Sequence, residues 1–152
     1  LYRNQPAVQC TCSAVRRKLD SKGAQTRMKC AVAHRKPLID CDTAVVYSIP
    51  LSCGKSYIGQ TGRCINERLF EHRRSVKGAV SSNLAAHCRE YKDCYPHLNR
   101  TTILFSHPDR ICRELVEAFL ISKEFDACVA TPSVNLEEKE IHALGEYLAM
   151  KC

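Results

Sequence analysis

The sequence predicts an α+β domain, a small three-stranded antiparallel β-sheet flanked by helices, in the order β-β-α-α-β-α-α. Two observations predict this class. The chain has 152 residues and 45% hydrophobic content, which is enough for one ordinary core and too little for two. Two runs rich in β-branched and aromatic residues lie side by side, and amphipathic stretches typical of helices follow them. Helices that cover a small antiparallel sheet are a common arrangement for such a pattern.

The composition makes several protein classes improbable. No apolar run approaches the roughly 20 residues needed to cross a bilayer, so no association with a membrane is expected. The start lacks both an initiator Met and a secretory signal, which predicts a piece of a longer intracellular protein. Eleven cysteines form an odd number in a chain with 26% charged residues. They favour reduced thiols or metal ligands, and a secreted, disulfide-rich domain is the alternative.

The positive charge of the chain is concentrated at its N-terminus. Residues 1–42 carry nine Lys or Arg against three Asp or Glu, which accounts for most of the formal net charge of +7. This segment has no sustained apolar period and is predicted to be a basic linker or the edge of a missing upstream domain. An arm that contacts nucleic-acid phosphates is the alternative. Residues 43–125 are predicted to form the core, and 126–152 a C-terminal loop and helix packed on it.

The first regular elements form a predicted β-hairpin. The run TAVVYSI begins at Thr43 and SYIG begins at Ser56, and LSCGK between them supplies a turn at Gly54. The second strand is predicted to end at residues with turn character, namely Gly59, Thr61 and Gly62.

A helix is predicted directly after the hairpin, in CINERLFEHRRSVKG. Ile65 and Leu69 fall on one apolar stripe of this helix, and Gly78 closes it. Arg68 and His72 are four positions apart and therefore project from one face.

The remaining elements follow from caps and periodicity. Ser81 or Ser82 would cap a short second helix, and TTILF is a predicted third strand. Asn135 and Glu138 resemble a capping box before a last helix that ends near Leu148. A third helix is predicted in DRICRELVEAFLISKEF, and its core-facing residues would be Ile111, Leu115, Ala118 and Phe119.

Five ordered positions resemble the GIY-YIG nuclease family, namely Tyr47, Tyr57, Arg68, His72 and Glu117. Tyr57 begins a YIG triplet, whereas the first triplet is VVY, which lacks the leading glycine. The resemblance covers residues 43–121. Within the family, IPLSCGKSYIGQTGRCINERLFEHRR and CVATPSVNLEEKE resemble the C-terminal endonuclease domain of Penelope-like retroelements, which lies downstream of a reverse transcriptase.

The resemblance implies a metal-dependent DNA endonuclease that nicks target DNA in the nucleus. Glu117 would hold Mg²⁺ or Mn²⁺, and Arg68 would bind the scissile phosphate. Tyr47 would act as a general base or orient the attacking water, and His72 would share its hydrogen-bond relay. Tyr57 would bond within the site and to the phosphate. The alternative is a catalytically inactive, nucleic-acid-binding remnant of a mobile element.

Two further roles can be weighed from the residues. Gly59 would let the backbone leave the strand beside the site without a Cβ in the way. Glu114 competes with Glu117 for the metal-binding role, but EAFLI after Val116 matches the family's acidic residue followed by an apolar stretch.

A structural zinc site can be assembled from the cysteines and histidines. Its predicted ligands are Cys53, His87, Cys88 and Cys94, with His97 as a replacement for one of them. The spacing is irregular, and neighbouring residues on a helix point about 100 degrees apart, which makes joint ligation by His87 and Cys88 awkward. Cys10 and Cys12, and the pair Cys30 and Cys41, are expected to be free thiols, and a second metal site is the alternative for them. Cys64, Cys112 and Cys128 are expected to be small packing residues or loop residues.

Overall fold

The computed structural model describes residues 30–78, 82–124 and 126–151. Within those ranges the chain forms a three-stranded antiparallel sheet and four α-helices, so the predicted α+β class is confirmed. The strands are β1 (Val45–Pro50), β2 (Ser56–Thr61) and β3 (Thr102–Ser106). The helices are α1 (Ile65–Lys77), α2 (Asn83–Glu90), α3 (Arg110–Lys123) and α4 (Glu138–Lys151), and a 3₁₀ turn (Leu98–Arg100) precedes β3.

The hairpin register places the two strand tyrosines on one face of the sheet. β1 is the central strand and pairs with both β2 and β3. Tyr47 lies opposite Gly59, and Ile49 lies opposite Tyr57. Because side chains alternate along a strand, all four residues share a face. Two tyrosines that are ten positions apart in the sequence are therefore diagonal neighbours in the sheet.

The core lies on both faces of the sheet. On the tyrosine face, Val45, Tyr47 and Ile49 pack against residues of α1 and α2, namely Ile65, Leu69 and Leu84. On the opposite face, Val46 and Ile58 pack against residues of α3 and α4, namely Val116, Phe119, Leu120 and Leu148. A central strand with apolar residues on both faces explains why the run VVY does not alternate with polar residues.

Several local predictions were wrong in detail. β2 continues to Thr61, so Gly59 lies inside the strand and does not end it. Ile111 is 66% exposed, because the inward position in the first turn of α3 belongs to Arg113. At α4 the side chain of Glu140 accepts a hydrogen bond from the backbone N–H of Glu137, so the capping contact lies two residues after the predicted one.

The described end of the N-terminal segment packs against the core. Leu38 and Ile39 are partly buried against the cluster on the tyrosine face. Their backbone N–H groups donate to Asn66 Oδ1 at 2.7 and 3.3 Å. This part of the segment is therefore held against α1 and is not a solvated linker. Several residues of the sequence predictions lie outside the described ranges, namely the basic residues before Cys30, Cys10, Cys12 and the cap candidate Ser81. The other cap candidate, Ser82, caps α2 by accepting a hydrogen bond from Ala85 N at 3.1 Å.

The C-terminal part of the chain also contacts the sheet. Ser56 at the start of β2 donates its N–H to Ala127 O at 2.8 Å and accepts from Val129 N at 2.9 Å. α4 packs on α3 through Leu148 and its neighbours. Among the described residues, no helix combines the length and the apolar character that crossing a membrane would require.

Candidate active site

Four of the five predicted site residues form one contact group beside the hairpin. The hydroxyl of Tyr47 lies 2.8 Å from His72 Nε2, and Arg68 Nε donates to that hydroxyl at 3.3 Å. The ring of Tyr57 meets the ring of His72 edge to face, with 5.0 Å between centroids. Arg68 and His72 reach this position because they are one turn apart on the face of α1 that covers the tyrosine face of the sheet.

The group has a buried layer and an accessible layer. Tyr47 is fully buried and His72 is 2% exposed. The Arg68 side chain is 35% exposed, and Tyr57 is only partly buried. An anionic ligand from solvent would therefore meet Arg68 and Tyr57 first, with Tyr47 and His72 behind them.

The buried layer is electrically neutral near pH 7. Burial, assisted by the charge of Arg68, lowers the pKa of His72 to about 4. Burial and the neighbouring Tyr57 raise the pKa of Tyr47, so a resting phenolate is disfavoured. We assign the Tyr47 hydroxyl as donor to the unprotonated Nε2 of His72, because the buried hydroxyl proton needs an acceptor and Arg68 already donates to the oxygen.

Stability is expected to depend on the titration of His72. Its pKa falls from 6.5 in the unfolded chain to about 4 in the fold, so the folded state binds fewer protons between those values. The contribution is fully present above pH 6.5 and is lost as the pH falls toward 4. By linkage, the free energy of unfolding should decrease by about 3 kcal/mol over this window. Urea denaturation at several pH values would measure the decrease.

The matched control for that measurement is His72→Gln, which cannot titrate. Only the difference in pH dependence between the wild type and this variant reports on His72, because other groups also titrate in the window. If both proteins lose the same stability between pH 6.5 and 4, the acid sensitivity belongs to other residues.

Glu117, on α3, lies close enough to both tyrosines for its charge to act on them. It is 6% exposed, and Ser133 donates to its Oε2 through both the hydroxyl and the backbone N–H, the latter at 3.3 Å. Burial raises the pKa of the Glu117 carboxyl. The negative charge of Glu117 contributes to the raised pKa of both tyrosines.

The charge of Glu117 is not offset by an ion pair with any described residue. A buried carboxylate without a cationic partner is costly, and a bound cation would relieve that cost. Hard carboxylate oxygen is also the ligand that Mg²⁺ prefers. Glu117 therefore fits the role of a ligand for a divalent cation.

The competitor Glu114 has a different partner. Its Oε1 accepts from Arg110 Nε at 2.7 Å across one turn of α3. The ion pair compensates the charge of Glu114, and Glu114 does not contribute to the pKa shifts of the two tyrosines as Glu117 does. This arrangement favours Glu117 over Glu114 as the acidic residue of the site.

The side chains of the two tyrosines, more than the backbone conformation, explain why residue 59 is a glycine. A Cβ at this position would lie 2.8 Å from the hydroxyl oxygen of Tyr47 and 3.0 Å from Cε1 of Tyr57. Because real Cβ atoms essentially never approach a neighbour this closely, no larger residue fits without displacing a ring. The glycine is inside β2 because Tyr47 lies directly across from it.

The sequence did not reveal the residues that support the site. Glu71 accepts from Arg68 Nη1 at 2.9 Å and from Arg63 Nη2 at 2.6 Å, and so holds the guanidinium of Arg68. The spacing of Arg68 and Glu71 on a helix was a signal that could have predicted their contact. Ser133 is 16 positions from Glu117, and no local pattern connects them.

Arg113, which contacts the end of β2, is another supporting residue that the sequence did not reveal. It is 4% exposed and donates to Gln60 Oε1 at 3.2 Å and to the carbonyls of His107 and Pro108, both at 2.8 Å. The Nη2 atom of Arg113 would lie 3.1 Å from a Cβ at Gly62. This glycine thus makes room for an arginine that ties the start of α3 to β2.

Three of the predicted zinc ligands lie together. Cys53, His87 and Cys94 have their ligand atoms within 4.8 Å of one another, a group that could hold a metal such as zinc. Cys53 Sγ lies 3.5 Å from His87 Nε2. Cys88 is not a member of this group and packs in the core, and His97 packs against the ring of Tyr95.

A second group contains cysteines that were expected to be free thiols or packing residues. Its four members, whose ligand atoms also lie within 4.8 Å of one another, are Cys30, His34, Cys41 and Cys64. All eight cysteines in the described ranges are free, so those ranges contain no disulfide.

No protein-family model, curated protein or solved structure matches this chain. A function for the domain must therefore be inferred from its own residues and their geometry.

Proposed function

We propose that the domain is a metal-dependent DNA endonuclease of the GIY-YIG type, which hydrolyses a phosphodiester bond and nicks target DNA for the integration of a retroelement. One observation carries this proposal. Tyr47, Tyr57, Arg68 and His72 belong to two strands and a helix and yet form one contact group, and the charge of the buried Glu117 carboxylate acts on both tyrosines. These are the five positions on which the sequence resemblance depends.

The charge around the group suits a polyanionic substrate. The terminal nitrogens of the partly exposed Arg68 guanidinium can donate to two oxygens of one phosphate. Further cations, all exposed, lie on or just before α1 and can contact flanking phosphates, namely Arg63, Arg73, Arg74 and Lys77. The formal net charge of +7 favours the same class of partner.

Phosphate binding would open the buried layer. A phosphate competes for Arg68 with Tyr47 and Glu71, and the contact with Tyr47, at 3.3 Å, is the longer of the two. Once Arg68 turns to the phosphate, the oxygen of Tyr47 can accept a hydrogen bond from a water molecule. The negative phosphate also offsets the charge of Arg68 and so raises the pKa of His72 above its value of about 4.

Proton transfer then follows the existing hydrogen bond. As the water attacks phosphorus, it gives a proton to the Tyr47 oxygen while the hydroxyl proton of Tyr47 passes to His72 Nε2. Tyr47 thus acts as a relay and needs no resting phenolate. Tyr57 keeps its own proton, because burial raises its pKa, and donates a hydrogen bond to a nonbridging phosphate oxygen.

Glu117 would bind the metal ion, Mg²⁺ or Mn²⁺, and Ser133 fixes the carboxylate for this purpose. A divalent cation there supplies charge neutralisation on the phosphate and stabilises the leaving oxygen. The nick would provide a 3′ hydroxyl from which a linked reverse transcriptase could prime synthesis, and the reaction would take place in the nucleus.

Conversion of supercoiled plasmid to nicked circles tests the proposal. Nicking should require Mg²⁺ or Mn²⁺ and should stop when EDTA is added. Glu117→Gln keeps the acceptor for Ser133 but removes the charge, and is expected to reduce the nicking rate about 100-fold. The matched control is Glu114→Gln, an isosteric change on the same helix, which should leave the rate nearly unchanged.

The alternative function has a distinct outcome in this assay. Wild-type protein that shifts DNA in a gel but produces no nicks with either metal would be an inactive nucleic-acid-binding remnant. Nicking that survives Glu117→Gln unchanged would exclude the assigned site.

A further inference from the structure

The four-residue group Cys30, His34, Cys41 and Cys64, called the Cys3His group here, has the composition of a closed zinc site. Its ligand atoms lie within 4.8 Å of one another, and Cys30 Sγ lies 3.3 Å from His34 Nε2. A tetrahedral zinc ion with Zn–S bonds of about 2.3 Å and Zn–N bonds of about 2.0 Å places its ligand atoms roughly 3.5 to 3.8 Å apart. The group therefore needs only small side-chain adjustments to surround an ion.

The needs of helix α1 do not explain why residue 64 is a cysteine. It is the N-cap residue of α1, is 4% exposed and makes no capping hydrogen bond. Cysteine is a poor choice for this position compared with Ser, Thr, Asp or Asn. A role as a metal ligand explains a buried cysteine at a position where its side chain does not cap the helix.

The backbone around the other ligands is already fixed in place. Residues 30–44 contain no helix or strand, yet Asn66, which is fully buried in α1, accepts from Leu38 N and donates to Ile39 O at 2.9 Å. The same amide lies 3.5 Å from Cys41 Sγ and can donate to it. Hydrogen bonds to ligand sulfur are a common feature of the shell around metal sites. Asn66 therefore both orders the segment and supports one ligand.

We infer that the Cys3His group binds one Zn²⁺ as a structural site. The ion has four protein ligands and leaves no position for water or substrate, which distinguishes a structural site from a catalytic one. The three thiols lose their protons on binding, and the histidine binds as neutral imidazole. This site is separate from the group of Cys53, His87 and Cys94, and it does not depend on the proposed nuclease activity.

The site would join the N-terminal segment to the helix that carries Arg68 and His72. Three ligands come from residues 30–41 and the fourth begins α1, so the ion closes a loop between them. Arg68 lies one turn after Cys64, and His72 lies two turns after it. Loss of zinc would thus loosen both the segment and the start of the helix.

Metal analysis of the full chain, purified with Zn²⁺ under reducing conditions, tests this inference. Cys41→Ser and Cys64→Ser should each lower the bound zinc by one equivalent per chain relative to the wild type. Cys112→Ser changes a free thiol outside both groups and should leave the content unchanged. Wild-type protein without zinc, or unchanged zinc in both ligand variants, would overturn the site.

A second measurement uses the wild type alone and so does not depend on the folding of the variants. Alkylation followed by peptide mass spectrometry reports which thiols the metal protects. In the zinc-loaded protein Cys30 and Cys41, which are only half-buried, should resist alkylation, and a chelator should make them reactive. Rapid alkylation of both in the zinc-loaded protein would show that the ion is bound elsewhere.

Discussion

Replacing Arg68 with alanine is expected to reduce the rate of DNA nicking about 1000-fold while DNA binding changes little. Arg68 is the cation that contacts Tyr47 directly and remains accessible to a ligand. Removal of a preorganised donor to a developing negative charge typically costs 100- to 1000-fold in rate, or about 3 to 4 kcal/mol. The loss should appear in kcat, because several other cations on α1 would still be available to contact the DNA backbone. Single-turnover kinetics and gel-shift titration measure the two effects separately.

The control for this variant is Arg74→Ala, which removes the same charge from an exposed position on the same helix. It should weaken binding slightly, mainly at low salt, and should leave the rate of the bound complex intact. Arg68→Lys keeps the charge but loses the planar fork, so its rate should fall between those of the wild type and the alanine variant. Equal rates for Arg68→Ala and Arg74→Ala would contradict the assigned role.

The Arg68 variant has a second readout that does not involve activity. The charge of Arg68 contributes to the lowered pKa of His72. Its removal should therefore raise that pKa from about 4 toward the ordinary value of 6.5, which NMR titration of the imidazole can detect. An unchanged titration would mean that burial alone lowers the pKa of His72.

The hairpin and the first helix could be predicted because their signals are local. β-Branched runs on both sides of a turn specify the strands, and Gly54 has the positive φ, +86°, that such a turn uses. An apolar stripe at helical spacing specifies α1, and the same spacing puts Arg68 and His72 on one face. Once the strand register is known, the alternation of side chains places Tyr47 and Tyr57 on the face of the sheet that α1 covers, where they meet Arg68 and His72.

The remaining contacts depend on residues that are distant in the sequence. Ser133, which is 16 positions after Glu117 and lies between α3 and α4, donates to the Glu117 carboxylate. The Cys3His group combines three ligands of an irregular segment with Cys64 at the start of a helix, and the spacing of C-x₃-H-x₆-C alone is too irregular to identify it. Ile111 fits the apolar period of α3 and is nevertheless exposed. Periodicity gives the apolar face of a helix, but it does not show that Arg113 takes the inward position in the first turn.

Gly59→Ala is expected to lower the free energy of unfolding by about 2 to 3 kcal/mol and to abolish nicking. The new methyl group would lie 2.8 Å from the hydroxyl oxygen of Tyr47 and 3.0 Å from two ring carbons. Tyr47 cannot retreat, because it is fully buried on the central strand. Either the strands separate locally or the ring rotates, and rotation breaks the 2.8 Å hydrogen bond to His72. Thermal and chemical denaturation give the stability, and plasmid nicking gives the activity.

Two further variants identify the cause of this loss. Gly145→Ala introduces the same methyl group in α4, where the nearest atom outside that helix is a ring carbon of Phe119 at 3.5 Å, an ordinary contact. Removal of a glycine from a helix interior should there raise stability by about 0.5 to 1 kcal/mol. In a Tyr47→Phe background the 2.8 Å overlap is gone, while the two 3.0 Å contacts to the ring of residue 47 and to the ring of Tyr57 remain, so Gly59→Ala should cost about 1 kcal/mol less than in the wild type. Equal costs in both backgrounds would show that the tyrosine hydroxyl is not what requires a glycine at this position.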